Sequence, residues 1–443
     1  MINLHTTKLL HMMILLWHLL MSVPTIILKQ KVSCVLLFHK HSLNQRRGGE
    51  GFRKFEITRN NTKVPIKVQK VIDMVAMKPF SPEVTNRTSV LLLEKGRKTI
   101  YPTPYFVWTP KGKISEHDTL LEVKRKRNEV ELQAIPIAGT NDEKSLRSPW
   151  LTLPAEEIVN AKKAIGASAY RGRKGVEPSG AKGVFLLKTP QYVGTTKLQI
   201  VNLLARGRLK EVEDLGEHQG LIEDTFVYPL ISGRDIARYG LVGCSYILLP
   251  HEEKKGVHNA LAESELKVKY TATWEWLNYF KNVLIETRER NSKFYNSKLD
   301  PFYFLDNVGT YTFDPWKVVW REQNKQMVSC VVSTKKDEPL KGKLIIPDSK
   351  VLFCPLKDEG EAHYLCAILN SKIATDIIEG YTLELQRGID ILDFIRIPKF
   401  DSTCELHLKL ESLSKKAHEV FMNKEQLTQI ENEVNGLVPC IFD

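Results

Sequence analysis

Four stretches between residues 301 and 400 decide how this chain is interpreted. They read PFYFLDNVGTYTFDPWKVVWREQ (301–323), KLIIPDSKVLFCP (343–355), EAHYLCAILNS (361–371) and IRIPKF (395–400). Short apolar runs typical of strands alternate here with a helical pattern. The same mixture begins near residue 151, with no internal repeat, so residues 151–400 are predicted to form one α+β domain.

The first stretch contains a strand pattern that positions a lysine. Trp316, Val318 and Trp320 alternate with Lys317 and Val319, as expected when successive side chains point to opposite faces of a sheet. Such a strand can hold Lys317 toward a ligand. Large rings at alternate positions are also typical of a protein core, so both interpretations stay open.

The rest of the chain divides by composition into four further segments. Residues 1–45 are hydrophobic and unassigned. Residues 46–110 carry two runs that predict strands, the second nearly continuous in Val and Leu, and continuous apolar runs suit strands buried on both faces. Residues 111–150 are polar and turn-rich, which predicts a linker. Residues 401–443 predict two amphipathic helices that pack as a C-terminal tail.

Charge points to an anionic partner. The 443 residues carry 64 Lys and Arg against 52 Asp and Glu, a formal net charge of +12. An excess of this size favours DNA, RNA or an acidic lipid surface, although it also serves solubility. Lys124–Arg127 is a run of four basic residues, which is either a solvated face or a strip that contacts phosphates.

Cysteine usage and the N-terminus bear on the compartment. The seven cysteines are odd in number and none lies at CxxC spacing, which argues against a disulfide framework or a zinc site. We therefore expect no metal and a cytoplasmic protein. Leu9–Leu28 is long enough to cross a bilayer, yet two histidines and Pro24 interrupt it. We favour a remnant at a truncated start over a membrane anchor or signal peptide.

Devices for catalysis are missing from the sequence. Methyl transfer to adenine uses an Asn/Asp-Pro-Pro-aromatic loop, and the chain contains no Pro-Pro dipeptide. The tight glycine cluster at 48–51 follows no clear strand, which makes it a weak cofactor loop. Pro347-Asp348 lacks the Asp/Glu-x-Lys partner of a nuclease site, and no GxSxG turn of a hydrolase is present. We expect no catalytic residue in this chain.

DNA-binding patterns are stronger. YRGRKGVEPSGAKGVFLLK (170–188) combines five basic residues with four glycines, and glycine lets a backbone approach phosphates closely. The Gly233–Asp235 turn carries Arg234 near aromatic residues that suit stacking on bases or sugars. A flexible surface loop and a core strand with a solvated turn are the respective alternatives. The expected DNA contacts are Tyr170, Arg171, Arg173, Lys174, Lys182, Arg234 and Lys317.

Taken in order, these motifs resemble the C-terminal part of adenine-specific DNA methyltransferases of restriction-modification systems, including their TaqI-like specificity domain. The resemblance covers roughly residues 46–440. It implies that residues 46–110 are an α/β remnant, the last strands of a Rossmann-like methyltransferase domain. It also implies that residues 151–400 are a target-recognition domain and that double-stranded DNA is the partner.

The resemblance implies S-adenosylmethionine as the cofactor of the intact family and extrusion of the target base. The cofactor-binding half should precede residue 46, where the sequence matches neither the cofactor loop nor the catalytic motif. We therefore expect an N-terminally truncated methyltransferase that binds no cofactor alone. The alternatives are a specificity subunit that partners a separate catalytic or nuclease chain, and a membrane-anchored basic protein.

Overall fold

The structure, a computed structural model, describes residues 33–44, 49–78, 87–114, 118–140, 142–204, 216–252, 260–324, 326–381 and 388–443. Contacts between residues divide the chain into two compact units, Met1–Val159 and Asn160–Asp443. Leu9–Leu28 lies outside the described residues. Within them, no helix combines the length and apolar character needed to cross a membrane.

The first unit is built on a seven-stranded sheet. Its strands are β1 (Ser33–His39), β2 (Glu56–Arg59), β3 (Thr62–Asp73), β4 (Thr88–Lys95), β5 (Thr103–Pro110), β6 (Arg127–Pro136) and β7 (Trp150–Leu153). The spatial order is β1-β4-β3-β5-β6-β7, with β2 beside β3. Its helices are α1 (His41–Asn44), α2 (Leu120–Arg125) and α3 (Glu143–Leu146), and α4 (Ala155–Ala164) follows the last strand.

The sheet is largely antiparallel. Among its described strands, β3 and β5 form the one parallel pair. Asn60 and Asn61, both with positive φ, make the two-residue turn between β2 and β3, since asparagine tolerates the left-handed conformation that a tight hairpin requires. The two runs predicted as strands lie in β3 and β4, but their expected burial on both faces is wrong, since most residues of both strands are half-buried or exposed. The fold is mixed α/β, and its origin as a Rossmann-like remnant remains a prediction.

The predicted linker at 111–150 is corrected by the structure. Strand β6 pairs with β5 along its whole length, and β7 begins at Trp150, so the sheet continues through this segment. The preceding strand, β5, lies inside the sheet between β3 and β6. Polar composition was misleading because the first half of β6 is largely exposed to solvent, where polar side chains carry no penalty.

The glycine cluster before the second strand holds an arginine rather than a cofactor loop. Arg53 is 1% exposed, and its guanidinium donates hydrogen bonds to the carbonyl oxygens of Arg147 (2.7 Å) and Ser42 (2.8 Å). A Cβ at Gly49 would lie 2.2 Å from Nη1 of Arg53. Burial lowers the pKa of Arg53 to about 10. Gly49 therefore leaves room for a buried structural guanidinium.

The second unit contains four smaller sheets. Its strands are β8 (Arg173–Lys174), β9 (Leu186–Leu187), β10 (Gln191–Val193), β11 (Lys197–Val201), β12 (Gln219–Glu223), β13 (Val227–Ile231), β14 (Ile236–Ala237), β15 (Gly240–Leu241), β16 (Ser245–Leu248), β17 (Trp316–Arg321), β18 (Ser329–Val332), β19 (Ile346–Pro347) and β20 (Val351–Leu356). The sheet orders are β10-β11-β12, β19-β13-β16-β9, β14-β15 and β18-β17-β20-β8.

The helices of the second unit are α5 (Lys182–Phe185), α6 (Glu263–Lys269), α7 (Thr271–Tyr279), α8 (Lys281–Asn291), α9 (Glu359–Leu369), α10 (Lys372–Tyr381), α11 (Glu405–Val420) and α12 (Lys424–Leu437). Apolar residues recur at helical spacing through residues 271–291 and again through residues 361–381, which favours one long helix in each range. The first breaks at Phe280 and the second at Asn370-Ser371. Helical periodicity continues across such short breaks, which hides them from sequence.

The side chain of Asn370, at the break after α9, binds an edge strand. Its Oδ1 accepts from the N–H of Ser329 at 3.0 Å, and its Nδ2 donates to the Ser329 carbonyl at 2.9 Å. Arg238 links the same break to helix α12. Its guanidinium donates to the Asn370 carbonyl and forms an ion pair with Glu431 of α12. The two predicted C-terminal helices are confirmed as α11 and α12, and α12 is connected to β18 through Arg238 and Asn370. Arg238 is engaged inside the protein.

Substitution of Asn370 tests this connection. In Asn370→Ala, the Ser329 N–H and carbonyl lose their buried partners, and we expect the free energy of unfolding to fall by about 2 kcal/mol. Denaturant unfolding of the purified chain measures it. The matched control is Asn432→Ala, at an exposed position of α12, which should change stability by less than about 0.5 kcal/mol. Equal effects of the two substitutions would contradict the assignment.

Candidate nucleic-acid interface

Two of the predicted DNA-binding segments meet at one turn, Pro347–Val351. From one side, the N–H of Gly175 donates to the Val351 carbonyl at 3.0 Å. From the other side, the N–H of Asp348 donates to the Ile231 carbonyl at 2.8 Å, just before the turn that carries Arg234. The segments lie about 60 residues apart in sequence, and backbone hydrogen bonds to a shared turn bring them together.

Glycines make this close approach possible. A Cβ at Gly175 would lie 2.3 Å from the Asp348 carbonyl oxygen, and a Cβ at Gly172 would lie 2.7 Å from the carbonyl oxygen of Ile389. Both distances are shorter than any real Cβ contact, so neither site accepts a side chain without a backbone shift. These two glycines were expected to let the loop approach phosphates. In the structure they face protein backbone and hold strand β8 in place.

The exposed arginines of these segments are what we call the basic surface: Arg171, Arg173 and Arg234. Both Arg171 and Arg173 are exposed and, within the described part of the chain, have no carboxylate partner. The side chain of Arg234 is 71% exposed, with Asp235 at 3.9 Å. Lys174 is half-buried and, as the neighbour of Arg173 on β8, points to the opposite face of the sheet.

Lys182, also predicted to contact DNA, supports the turn instead. Its ammonium lies 2.9 Å from Oδ1 of Asp348 and 3.3 Å from the hydroxyl of Ser349, and its side chain is 24% exposed. Both partners are buried. A lysine paired in this way contributes to the shape of the basic surface and leaves little charge for a phosphate.

Two predicted contacts are wrong because their side chains are buried. Tyr170 is 4% exposed, and its hydroxyl accepts the N–H of Phe400 at 2.9 Å. Burial raises the pKa of Tyr170 far above its usual range. Lys317 has no exposed surface and donates to the Asp314 carbonyl at 2.7 Å. Strand β17 lies inside its sheet with both faces covered, so neither group can reach a duplex from this position.

Burial of Lys317 has a consequence for its charge. Desolvation lowers the pKa of Lys317 from 10.5 to about 7, partly offset by the nearby charge of Asp314. The ammonium form is therefore costly to bury at neutral pH. The predicted alternation on this strand is confirmed, since Val318 and Trp320 are buried on one face and Val319 on the other.

The structure adds Lys350 to the neighbourhood, a residue that sequence reasoning missed. Its side chain is 62% exposed and pairs with Glu322 at 2.9 Å, and this hydrogen bond raises the pKa of Lys350. The carbonyl oxygen of Lys350 lies 3.8 Å from the position of a Cβ on Gly233. The sequence of Pro347–Lys350 (PDSK) was interpreted only as part of a nuclease pattern. Its composition is also typical of a turn, which was a signal that sequence reasoning could have used.

In the basic run Lys124–Arg127 of the first unit, two side chains are exposed and two contact other residues. Within Lys124–Arg127, the first two side chains are exposed. Lys126 pairs with Asp118 at 2.7 Å, and Arg127 stacks 3.7 Å above the ring of Trp108. Phosphate contact by the first two remains a prediction. Among the described residues, no group of three His, Cys, Asp or Glu side chains could hold a metal ion.

Comparison with known proteins gives a partial likeness to one enzyme class. No family model matches the chain. Over 158 residues, 35% of its length, the chain is 29% identical to the Type II methyltransferase M.NspV of Nostoc sp. (strain ATCC 29411 / PCC 7524). The matched segment makes up 29% of that methyltransferase, so the chain spans under a third of its relative.

Two solved enzymes also overlap with the chain. The Type IIL restriction-modification enzyme MmeI, in complex with DNA, superposes with a TM-score of 0.48 at 10% identity. The type IIG restriction endonuclease BpuSI does so with a TM-score of 0.34 at 11% identity. Each overlap covers 93% of this chain and 47% of the enzyme. At these TM-scores no residue role is carried over from either enzyme.

A lysine-to-methionine substitution tests the burial of Lys317. Between pH 7 and pH 10 the unfolded chain binds a proton that the folded chain lacks, so wild-type stability should rise with pH in this window. We expect the stability of wild type relative to Lys317→Met to rise by about 2 kcal/mol from pH 7 to pH 9. Urea unfolding at both pH values measures this difference. A pH-independent difference, as expected for the exposed control Lys298→Met, would contradict the burial.

Proposed function

We propose that this chain is the DNA-reading part of an adenine-specific methyltransferase of a restriction-modification system. The second unit acts as its target-recognition domain and contacts duplex DNA through the basic surface. The observation that carries the proposal is the meeting of two basic segments at the Pro347–Val351 turn. Partial identity to the Nostoc Type II methyltransferase supports the enzyme class.

The chemistry of the basic surface suits a polyanion. Exposed guanidinium groups without carboxylate partners keep their donors free for phosphate oxygens, which arginine binds through two parallel hydrogen bonds. Phosphate contacts supply affinity and register on the duplex, whereas sequence is read at base edges. The backbone segments that carry these arginines are hydrogen-bonded to the Pro347–Val351 turn. Their relative positions are therefore fixed before DNA binds, which reduces the conformational entropy lost on binding.

The proposal assigns no methyl-transfer step to this chain. The sequence has no Pro-Pro dipeptide and so no Asn/Asp-Pro-Pro-aromatic loop to hold an extruded adenine. The glycine cluster at 48–51 is adjacent to Arg53, where Gly49 serves packing. We propose that S-adenosylmethionine is the cofactor of the complete enzyme, whose catalytic residues this chain does not provide, and that DNA is the partner of the chain alone.

Charge reversal tests the assignment of the basic surface. The double variant Arg171→Glu/Arg234→Glu should bind a duplex at least about tenfold more weakly, and the slope of log K against log salt should fall by about 2. Fluorescence anisotropy with a labelled duplex at several salt concentrations gives both quantities.

The matched control is Lys416→Glu/Lys424→Glu, which reverses two exposed lysines of the C-terminal helices and alters the net charge equally. We expect its affinity and salt slope to stay close to wild type. If both double variants weaken binding alike, DNA responds to overall charge and the basic surface is not the interface.

Calorimetry tests the absence of a cofactor site. Titration of S-adenosylmethionine into the purified chain should give no binding heat, with or without duplex DNA present. The chain incubated with DNA and labelled S-adenosylmethionine should transfer no methyl group. Saturable binding together with transfer would show that the chain carries a catalytic site and that the proposed division of roles is wrong.

A further inference from the structure

We propose that Arg173 reads a guanine base, whereas Arg171 and Arg234 bind phosphates. This inference rests on the proposed function and adds the residue that determines sequence choice. It follows from how differently the three guanidinium groups are held. Only a side chain fixed relative to the scaffold can discriminate between base pairs, because discrimination needs two simultaneous hydrogen bonds of defined geometry.

The backbone of Arg173 is fixed on both sides. Strand β8 pairs with β20, where Arg173 lies opposite Phe353. The flanking glycines, Gly172 and Gly175, touch the carbonyl groups of Ile389 and Asp348 so closely that neither accepts a Cβ. The two-residue strand is thus clamped against protein backbone before and after the arginine. The Cα–Cβ direction of Arg173 is set by the sheet.

The guanidinium is held as well. It lies over the ring of Tyr311, with Cζ 4.8 Å from the ring centroid. Tyr311 in turn packs on Phe353, the cross-strand neighbour of Arg173, with ring centroids 6.1 Å apart. Stacking of a guanidinium on an aromatic face is attractive and leaves the N–H donors at its edge available.

A glycine also fixes the supporting ring. A Cβ at Gly309 would lie 2.4 Å from Cε1 of Tyr311, so the ring occupies space that any larger residue would fill. The φ of Gly309 is −153°, which other residues adopt freely. Gly309 is therefore needed for the position of Tyr311 and not for backbone conformation. The order of support runs from Gly309 to Tyr311 to Arg173.

The other exposed arginines lack such support. Within the described residues, neither Arg171 nor Arg234 stacks on an aromatic ring, and the nearest charged group to Arg234 is Asp235 at 3.9 Å. A mobile guanidinium still attracts phosphates, because Coulomb attraction tolerates many geometries. Arg173 alone combines exposure, a ring support and a clamped strand. The arrangement suits a bidentate contact to O6 and N7 of guanine in the major groove.

Selection from a randomised duplex DNA library, followed by sequencing, tests the inference with the full chain. Wild type should select a site that contains at least one strictly required G·C pair. Arg173→Lys keeps the positive charge but loses the planar pair of N–H donors that can bind O6 and N7 of one guanine together. We expect it to reduce the preference at that single pair by about tenfold while the salt slope of binding stays unchanged.

Two positioning variants separate this role from direct contact. Tyr311→Leu and Gly309→Ala leave Arg173 in the sequence but remove or displace its support, and both should relax the same base pair. Arg97→Lys, at an exposed position of the first unit outside the basic surface, is the matched control, since it should keep the full preference. Thermal unfolding of each variant confirms that the fold is kept. If Gly309→Ala fails to fold, Tyr311→Leu still provides the test, because leucine retains an apolar contact to Phe353.

The outcomes distinguish base reading by Arg173 from DNA binding by the chain as a whole. Relaxation at one G·C pair in Arg173→Lys and in a positioning variant, with an unchanged preference in Arg97→Lys, supports base reading by Arg173. An unchanged preference, or a uniform loss of affinity for all sequences, overturns it while leaving DNA binding intact. If wild type binds no duplex at all, the proposed function itself fails.

Discussion

The contact between two backbones at Gly175 is the constraint on which the basic surface depends. A glycine here lets the strand that carries Arg173 come within hydrogen-bond distance of the Pro347–Val351 turn. The turn is held from its other side by Ile231, and Lys182 neutralises its buried aspartate. Any side chain at position 175 would force these backbones apart and separate the strand that carries Arg173 from the Pro347–Val351 turn.

The same constraint separates residues that shape the surface from residues that can act at it. Three of the predicted contacts are engaged inside the protein. Lys182 pairs with the buried carboxylate of Asp348, Lys317 donates to the Asp314 carbonyl, and the Tyr170 hydroxyl accepts the N–H of Phe400. Within the described residues, the exposed guanidinium groups of Arg171 and Arg173 have no carboxylate partner, and Arg234 has only Asp235 at 3.9 Å. A fixed arrangement of unbalanced positive charge is the physical requirement for binding a polyanion such as duplex DNA.

The secondary structure was largely predictable from sequence because it depends on local patterns. Continuous apolar residues predicted strands β3 and β4, and apolar spacing predicted helices α11 and α12. Strand β6 was missed because its first half is polar and exposed to solvent. The breaks at Phe280 and Asn370 were missed because they interrupt the helix for only one or two residues.

The site was predictable only in part, since burial is a tertiary property. The loop at 170–183 and the turn at Arg234 were identified from basic residues and glycines, but no local pattern shows that both reach residue 348. Lys317 alternates correctly with its neighbours, yet only the position of β17 inside a covered sheet reveals that its ammonium is buried. The role of Tyr311 depends on a contact across more than 130 residues of sequence.

Hydrogen–deuterium exchange of the chain, with and without a duplex of its selected sequence, tests the central claim most directly. If the two basic segments form one interface, DNA should slow amide exchange together in the peptides that cover 170–176, 231–235 and 347–351, and leave α11 and α12 unchanged. Protection confined to another part of the chain, or to one of these segments alone, would contradict a shared surface.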